Sequence, residues 1–180
     1  MKIKEGDLVI DAGANIGLFS ILASQKVGRT GKIFAFEPIE QTRELLARNI
    51  LNNRVNNIHF VPFALGSRNT DLELIKSDNL GESSFFCKGN FPKIKVKQTT
   101  LDNFVREKQL KKVDFIKADI EGMERDLIRG AKETIIKFKP KISICIYHRS
   151  DDAQIIGELL KSFVSVYHLT VTPTKLYAWI

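Results

Sequence analysis

The chain has 180 residues, of which 43% are hydrophobic and 27% charged. This is the balance of one ordinary globular domain, and it excludes disordered, collagen-like and disulfide-scaffold architectures. The 28 Lys+Arg against 21 Asp+Glu leave a formal charge of +7, which permits contact with phosphates or anionic polymers without requiring it, and the longest mostly apolar stretch, residues 16–23, falls far short of the ~20 residues that cross a bilayer.

The N-terminal MKIKEGDLVIDAG runs straight into a strand pattern at 8–13, with neither the separate apolar region nor the small-residue cleavage site of an export signal. With two scattered cysteines, Cys87 and Cys145, this predicts a cytoplasmic protein in a reducing compartment. Leu18, Ile21, Leu22 and Gln25 then fall at helical spacing and predict a helix from Gly17 to about Lys26 facing a sheet. A second strand is predicted at 32–37. It leads into a helix from Glu40 to Asn53 with Thr42, Leu46, Asn49 and Ile50 on one face, and a third strand follows at 58–63.

From 64 to 98 the alternation of strand and helix stops. Two half-exposed strand patterns, 71–75 and 93–98, flank a Gly-, Ser- and Asn-bearing loop at 78–90, which predicts an edge hairpin or flap inserted around 66–98. Within it Phe85, Phe86 and Phe91 interleave with Lys88, Lys93, Lys95 and Lys97. Lysines that guard an edge strand rank first as the explanation, a substrate lid second, and stacking on nucleic acid third.

Thr99 to Asp102 resembles a capping arrangement opening a short helix that carries Leu101, Phe104 and Val105. A strand is predicted at 113–119, then a helix striped by Met123, Leu127 and Ile128 until Gly130, and a further helical turn ended by Pro140. A strand at 141–147 and a helix carrying Ile155, Ile156, Leu159, Leu160 and Phe163 precede two last strand runs, joined by Thr172-Pro173-Thr174 and therefore antiparallel. The pattern is that of a single α/β domain over 1–180, a mostly parallel sheet with crossover helices.

Asp11-Ala12-Gly13-Ala14-Asn15-Ile16-Gly17 marks where the first strand passes into its helix, and its small residues let backbone approach a ligand. A dinucleotide fingerprint needs glycines at 13, 15 and 18, but Asn15 and Leu18 stand there, which argues against NAD. The acidic Asp11 argues against a nearby pyrophosphate and suits a cationic ligand. Glu37 ends the second strand ~20 residues after the turn, where a carboxylate accepts both hydroxyls of a ribose. An adenosine carrying a sulfonium fits both acids.

These segments resemble the FkbM-like methyltransferases, a branch of the class I S-adenosylmethionine-dependent enzymes. The resemblance rests on IDAGANIGLFS at 10–20, FEP at 36–38, PFALG at 62–66, TLDNF at 100–104, IKADIEGMERDLIRGA at 116–131 and PKISICIYH at 140–148, nearly the whole chain. It implies a doubly wound, Rossmann-like seven-stranded sheet with an antiparallel last strand and helices on both faces. It also implies methyl transfer from S-adenosylmethionine to a hydroxyl of a sugar or other small natural product. Carried over by position, Asp11, Gly13, Asn15 and Gly17 line the methionine and ribose side, Glu37 holds the ribose and Ala64 passes near the adenine. The family carries an additional segment before its first strand; this chain starts a few residues ahead of that strand, as a minimal member or one lacking part of a substrate lid.

Asp119, Glu121 and Glu124 follow the fourth parallel strand, in the crevice where such folds collect ligands. Asp119 is the first candidate for the base that takes the acceptor proton and Glu121 the second. Glu124 reads as a helix-start acid favoured by the helix dipole. His148 ends the next strand and faces the same crevice, as a group that orients the acceptor hydroxyl or accepts its proton. His59 and His168 read as packing or surface residues. Asp119, Glu121 and His148 also form an oxygen and nitrogen donor set for magnesium or manganese. No further carboxylate is placed beside them from sequence, so metal-free proton abstraction ranks ahead. RNA methylation, favoured by the charge but lacking an RNA-binding appendage, and a non-catalytic cofactor-binding module are the alternatives.

Overall fold

The computed structural model describes residues 2–75 and 93–180; the loop at 78–90, with Phe85, Phe86, Cys87 and Lys88, and Phe91 lie outside them. The first strand forms as β1 (Leu8–Ala12), and all five of its residues are buried. Burial on both faces follows from its place at the centre of a parallel sheet: β2 (Lys32–Phe36) runs parallel along one edge and β7 (Phe115–Ala118) along the other. Alternate side chains of β1 enter two cores. Leu8, Ile10 and Ala12 join one and Val9 the other.

The second core is covered by α1 (Leu18–Val27) and α2 (Glu40–Asn52), through Ile21, Ala23, Val27 and Leu46. The first is covered by α3 (Leu101–Glu107), α4 (Glu124–Gly130), α5 (Lys132–Phe138) and α6 (Asp152–Phe163). With β3 (Ile58–Val61), β8 (Lys141–Cys145), β9 (His168–Val171) and β10 (Lys175–Trp179), the main sheet has the order β3-β2-β1-β7-β8-β10-β9. β10 lies antiparallel to both β8 and β9. The Rossmann-like doubly wound sheet and its antiparallel end match the pattern read from the sequence.

The α1 face differs from that reading. Leu18 and Leu22 are exposed, at 68% and 63%, and the buried side is Ser20, Ile21, Ala23, Ser24 and Val27. The polar members of that side are satisfied inside: Ser20 Oγ donates to Asp11 at 2.6 Å and Ser24 Oγ to Asn57 at 2.5 Å. Of the predicted face only Ile21 is buried, because two serines with internal partners occupy the rest of the inner side alongside Ala23 and Val27.

β5 (Thr70–Ile75) and β6 (Lys93–Thr99) pair antiparallel, and a two-residue strand unforeseen in the sequence, β4 (Ala64–Leu65), joins β6 in parallel to complete a second, three-stranded sheet. Thr100 caps α3 as its spacing suggests, accepting the Asn103 N–H at 3.0 Å. His59 is exposed and its ring stacks on Phe34, and His168 lies beside Trp179. Among the described residues no helix is long and apolar enough to cross a membrane, and Cys145 is a buried free thiol.

Candidate active site

Strand order reverses between β1 and β7, and beyond their C-terminal ends lies a cavity of about 590 Å³. Such a switch point is where open α/β sheets bind ligands, and the volume is that of a site for a nucleoside-sized molecule. Gly13, Asn15, Glu37 and Ala64 line one end, and Asp119, Glu121, Tyr147 and Lys175 the other.

The first end is built by the turn after β1. Gly13 has φ +75° and Asn15 φ +50°, so asparagine takes the left-handed conformation that a dinucleotide fingerprint gives to glycine. The amides of Gly13 and Ala14 donate to the carbonyl of Phe36 at 3.1 and 2.9 Å. This places Glu37 against the turn, where its carboxylate accepts the Asn15 and Ile39 amides, each at 3.0 Å. Burial pushes the Glu37 pKa up, opposed by those two amides. Each oxygen retains a lone pair for a ribose hydroxyl, and the carboxylate is oriented before any ligand arrives.

Asp11 and Gly17 are not on the cavity wall. Asp11 is fully buried beneath the turn, accepting Ser20 Oγ and paired with Lys117 Nζ at 3.1 Å. Lys117 also donates to the Gly13 carbonyl at 2.8 Å. The aspartate read as facing a cationic ligand thus already has its cation, and Lys117, unremarked in the sequence, holds the turn from below while itself lining the cavity. Gly17, the residue before α1, has φ +91°, and a Cβ there would meet Leu46 at 2.1 Å.

At the other end Asp119 accepts the Tyr147 phenol at 2.9 Å. Burial, with Asp119 beside it, raises the Tyr147 pKa, so the phenol keeps its proton and donates. Glu121, with φ +55°, and Gly122, with φ +97°, turn the chain from β7 into α4. His148 stands behind this turn, off the cavity wall, with Nε2 3.3 Å from Glu121 and Nδ1 3.3 Å from Glu124. Burial opposes its charge, but the two carboxylates outweigh that and push its pKa up to about 10. His148 thus faces Glu121 and Glu124 rather than the cavity, and Asp119 is the strand-end group that lines the wall.

Glu124 differs most from the sequence reading. It begins α4, as expected of a helix-start acid, yet it is fully buried: it accepts the Ile120 amide at 2.9 Å and faces His148. The additional carboxylate that was missing from the donor set is therefore here, three residues beyond Glu121. The signal available was its i, i+4 relation to Ile120, but its partner across the fold lies in the loop after β8. Tyr147, the neighbour of His148, carries no sequence signal of its own for this place on the cavity wall.

A family profile described as "Methyltransferase FkbM domain" matches residues 11–168. Among curated relatives, "Methyltransferase sdnD" of Sordaria araneosa is 29% identical over 164 residues, covering 73% of this chain and 63% of that protein. "Hexuronic acid methyltransferase AglP" of Haloferax volcanii is 26% identical over 131 residues, covering 72% and 52%. The chain thus spans about half to two thirds of the length of these relatives. The crystal structure of methyltransferase FkbM from Methylobacillus flagellatus KT superposes with a TM-score of 0.73 at 23% identity, covering 99% of this chain and 45% of that one. Fibrillarin from Aeropyrum pernix, with natively bound S-adenosyl-L-methionine, gives 0.59 at 14% identity, covering 99% and 68%, a likeness of fold.

Proposed function

This chain belongs to the FkbM methyltransferase family, and we propose that it transfers a methyl group from S-adenosylmethionine to a hydroxyl of a saccharide or other small molecule. The observation that carries the reading is that one cavity has Glu37 at one end and Asp119 at the other. The first is a pre-oriented carboxylate for ribose hydroxyls, and the second a strand-end carboxylate for an acceptor proton. The buried amide-bound Glu37, the positive-φ turn and the cavity volume fit the cofactor, which supplies a sulfonium-activated methyl group when bound.

The chain's own residues then do three things. Glu37, Gly13 and Asn15 bind and orient the nucleoside, with Ala64 on the same wall. Asp119, kept in place by the Tyr147 hydrogen bond, would take the proton of an acceptor hydroxyl as that hydroxyl becomes methylated. Tyr147, 52% exposed, offers a ring face at the mouth against which an acceptor can lie. Alignment of the two reactants supplies much of the acceleration.

Labelled methyl transfer from S-adenosylmethionine to glycan, small-molecule and purified RNA fractions tests the reading. Label in a saccharide or small-molecule fraction, reduced ~10²–10⁴-fold by Asp119→Asn with cofactor affinity retained, is the expected result. Label in RNA alone replaces the acceptor class, and cofactor binding with no transfer to any fraction favours the non-catalytic module.

A further inference from the structure

We propose that Asp119, Glu124 and His148 form a binding site for a first-row divalent cation at the acceptor end of the cavity. One donor atom from each of the three residues lies within 4.8 Å of the others. The Glu124 oxygen and His148 Nδ1 are 3.3 Å apart, the spacing of two ligands each ~2.1 Å from one shared ion. Neither nitrogen of His148 makes an aligned hydrogen bond, so its 3.3 Å contacts are electrostatic rather than directional.

A second, independent feature points the same way. Glu124 is fully buried; its Oε1, the oxygen beside His148 Nδ1, also takes the Ile120 amide, while Oε2 of the same carboxylate has no hydrogen-bond partner. A buried carboxylate oxygen left without a partner is costly, and a cation satisfies it.

The mixed oxygen and nitrogen set suits manganese or zinc better than magnesium, which prefers oxygen. Because Asp119 also lines the cavity, a cation held there reaches the acceptor compartment. Its role in catalysis, which rests on the methyl-transfer reading, is to hold the acceptor oxygen and make its hydroxyl more acidic.

Chelator-treated protein titrated separately with manganese chloride and zinc chloride, followed by calorimetry and thermal melting, tests the site without any turnover. One saturable site per chain and a melting temperature that rises with the cation are expected. Asp119→Ala and His148→Ala should each weaken binding at least ~10-fold. Asp119 stands on the cavity wall, so its variant keeps the test usable if loss of a more buried ligand impairs folding. Absence of saturable binding by the wild-type chain into the millimolar range, or binding unchanged in both variants, overturns the proposal. S-adenosylmethionine is titrated in parallel: cofactor binding without cation binding refutes the cation site alone, whereas cation binding without cofactor binding refutes the methyl-transfer reading alone.

Discussion

Gly13 and Asp119 meet across the gap between β1 and β7 so closely that a Cβ on Gly13 would lie 1.9 Å from the Asp119 carbonyl oxygen. The Asp119 amide, in turn, donates to the carbonyl of Ala12 at 3.1 Å. The turn after β1 and the strand end that carries Asp119 are thus in direct backbone contact, and both line the same cavity.

Gly13→Ala should therefore disturb both ends at once. The new methyl meets backbone, which cannot swing aside, and the residue has φ +75°. Overpacking and left-handed strain together predict a loss of at least ~2 kcal/mol in urea unfolding, with S-adenosylmethionine binding abolished in calorimetry. A variant of wild-type stability that binds the cofactor normally contradicts the described turn.

Lys117→Met strands a fully buried Asp11, since the lysine ammonium lies 3.1 Å from its carboxylate. Removing one partner of a buried pair costs ~3–5 kcal/mol. The double variant with Asp11→Asn should recover much of this in chemical denaturation, because the uncompensated charge has gone. Costs that simply add in the double variant would show that the two groups are not coupled.

Glu37 predicts a pH dependence of cofactor binding. Burial, opposed by the Ile39 and Asn15 amides, raises its folded-state pKa above the ordinary 4.5. The folded chain thus binds this proton more tightly than the unfolded one. The stability linked to it is fully present below 4.5 and is lost as pH rises through the raised value. Ligand binding runs the opposite way, because ribose hydroxyls need the ionised form as acceptor. Acidification should weaken S-adenosylmethionine binding at a pH still above 4.5, and Glu37→Gln should flatten that profile; an identical profile in the variant assigns the dependence to another group.

Tyr147→Phe removes the phenol that donates to Asp119 at 2.9 Å. At a half-exposed position the stability cost is small, about 0.5–1.5 kcal/mol. Turnover should fall while cofactor affinity is retained, since Tyr147 lies at the acceptor end. The comparison is between steady-state rates on the identified acceptor and calorimetric titration of the cofactor. A fall in cofactor affinity of the same size as the fall in rate would place Tyr147 elsewhere in the mechanism.

What the sequence determined by itself is what local periodicity and local chemistry encode. The buried run Leu8–Ala12, the capping Thr100, the breaks at Gly130 and Pro140 and the antiparallel end of the sheet are all written in residues near one another along the chain. The positions of Gly13, Asn15, Glu37 and Asp119 were legible for the same reason: strand ends in a doubly wound sheet converge on one crevice. Tertiary structure decided everything that depends on a distant partner. Lys117 neutralises Asp11, which lies off the cavity wall, from a neighbouring strand, and two inward serines leave only Ile21 of the apolar face expected for α1 buried. β4 exists because β6 offers it a ladder. Glu124 reads as a helix-start acid in sequence, yet it is fully buried with His148, in the loop after β8, opposite it. Spacing in a chain specifies the kind of element and where it breaks; the face an element buries, the charge a side chain meets there and whether water reaches it are set by elements folded against it from elsewhere.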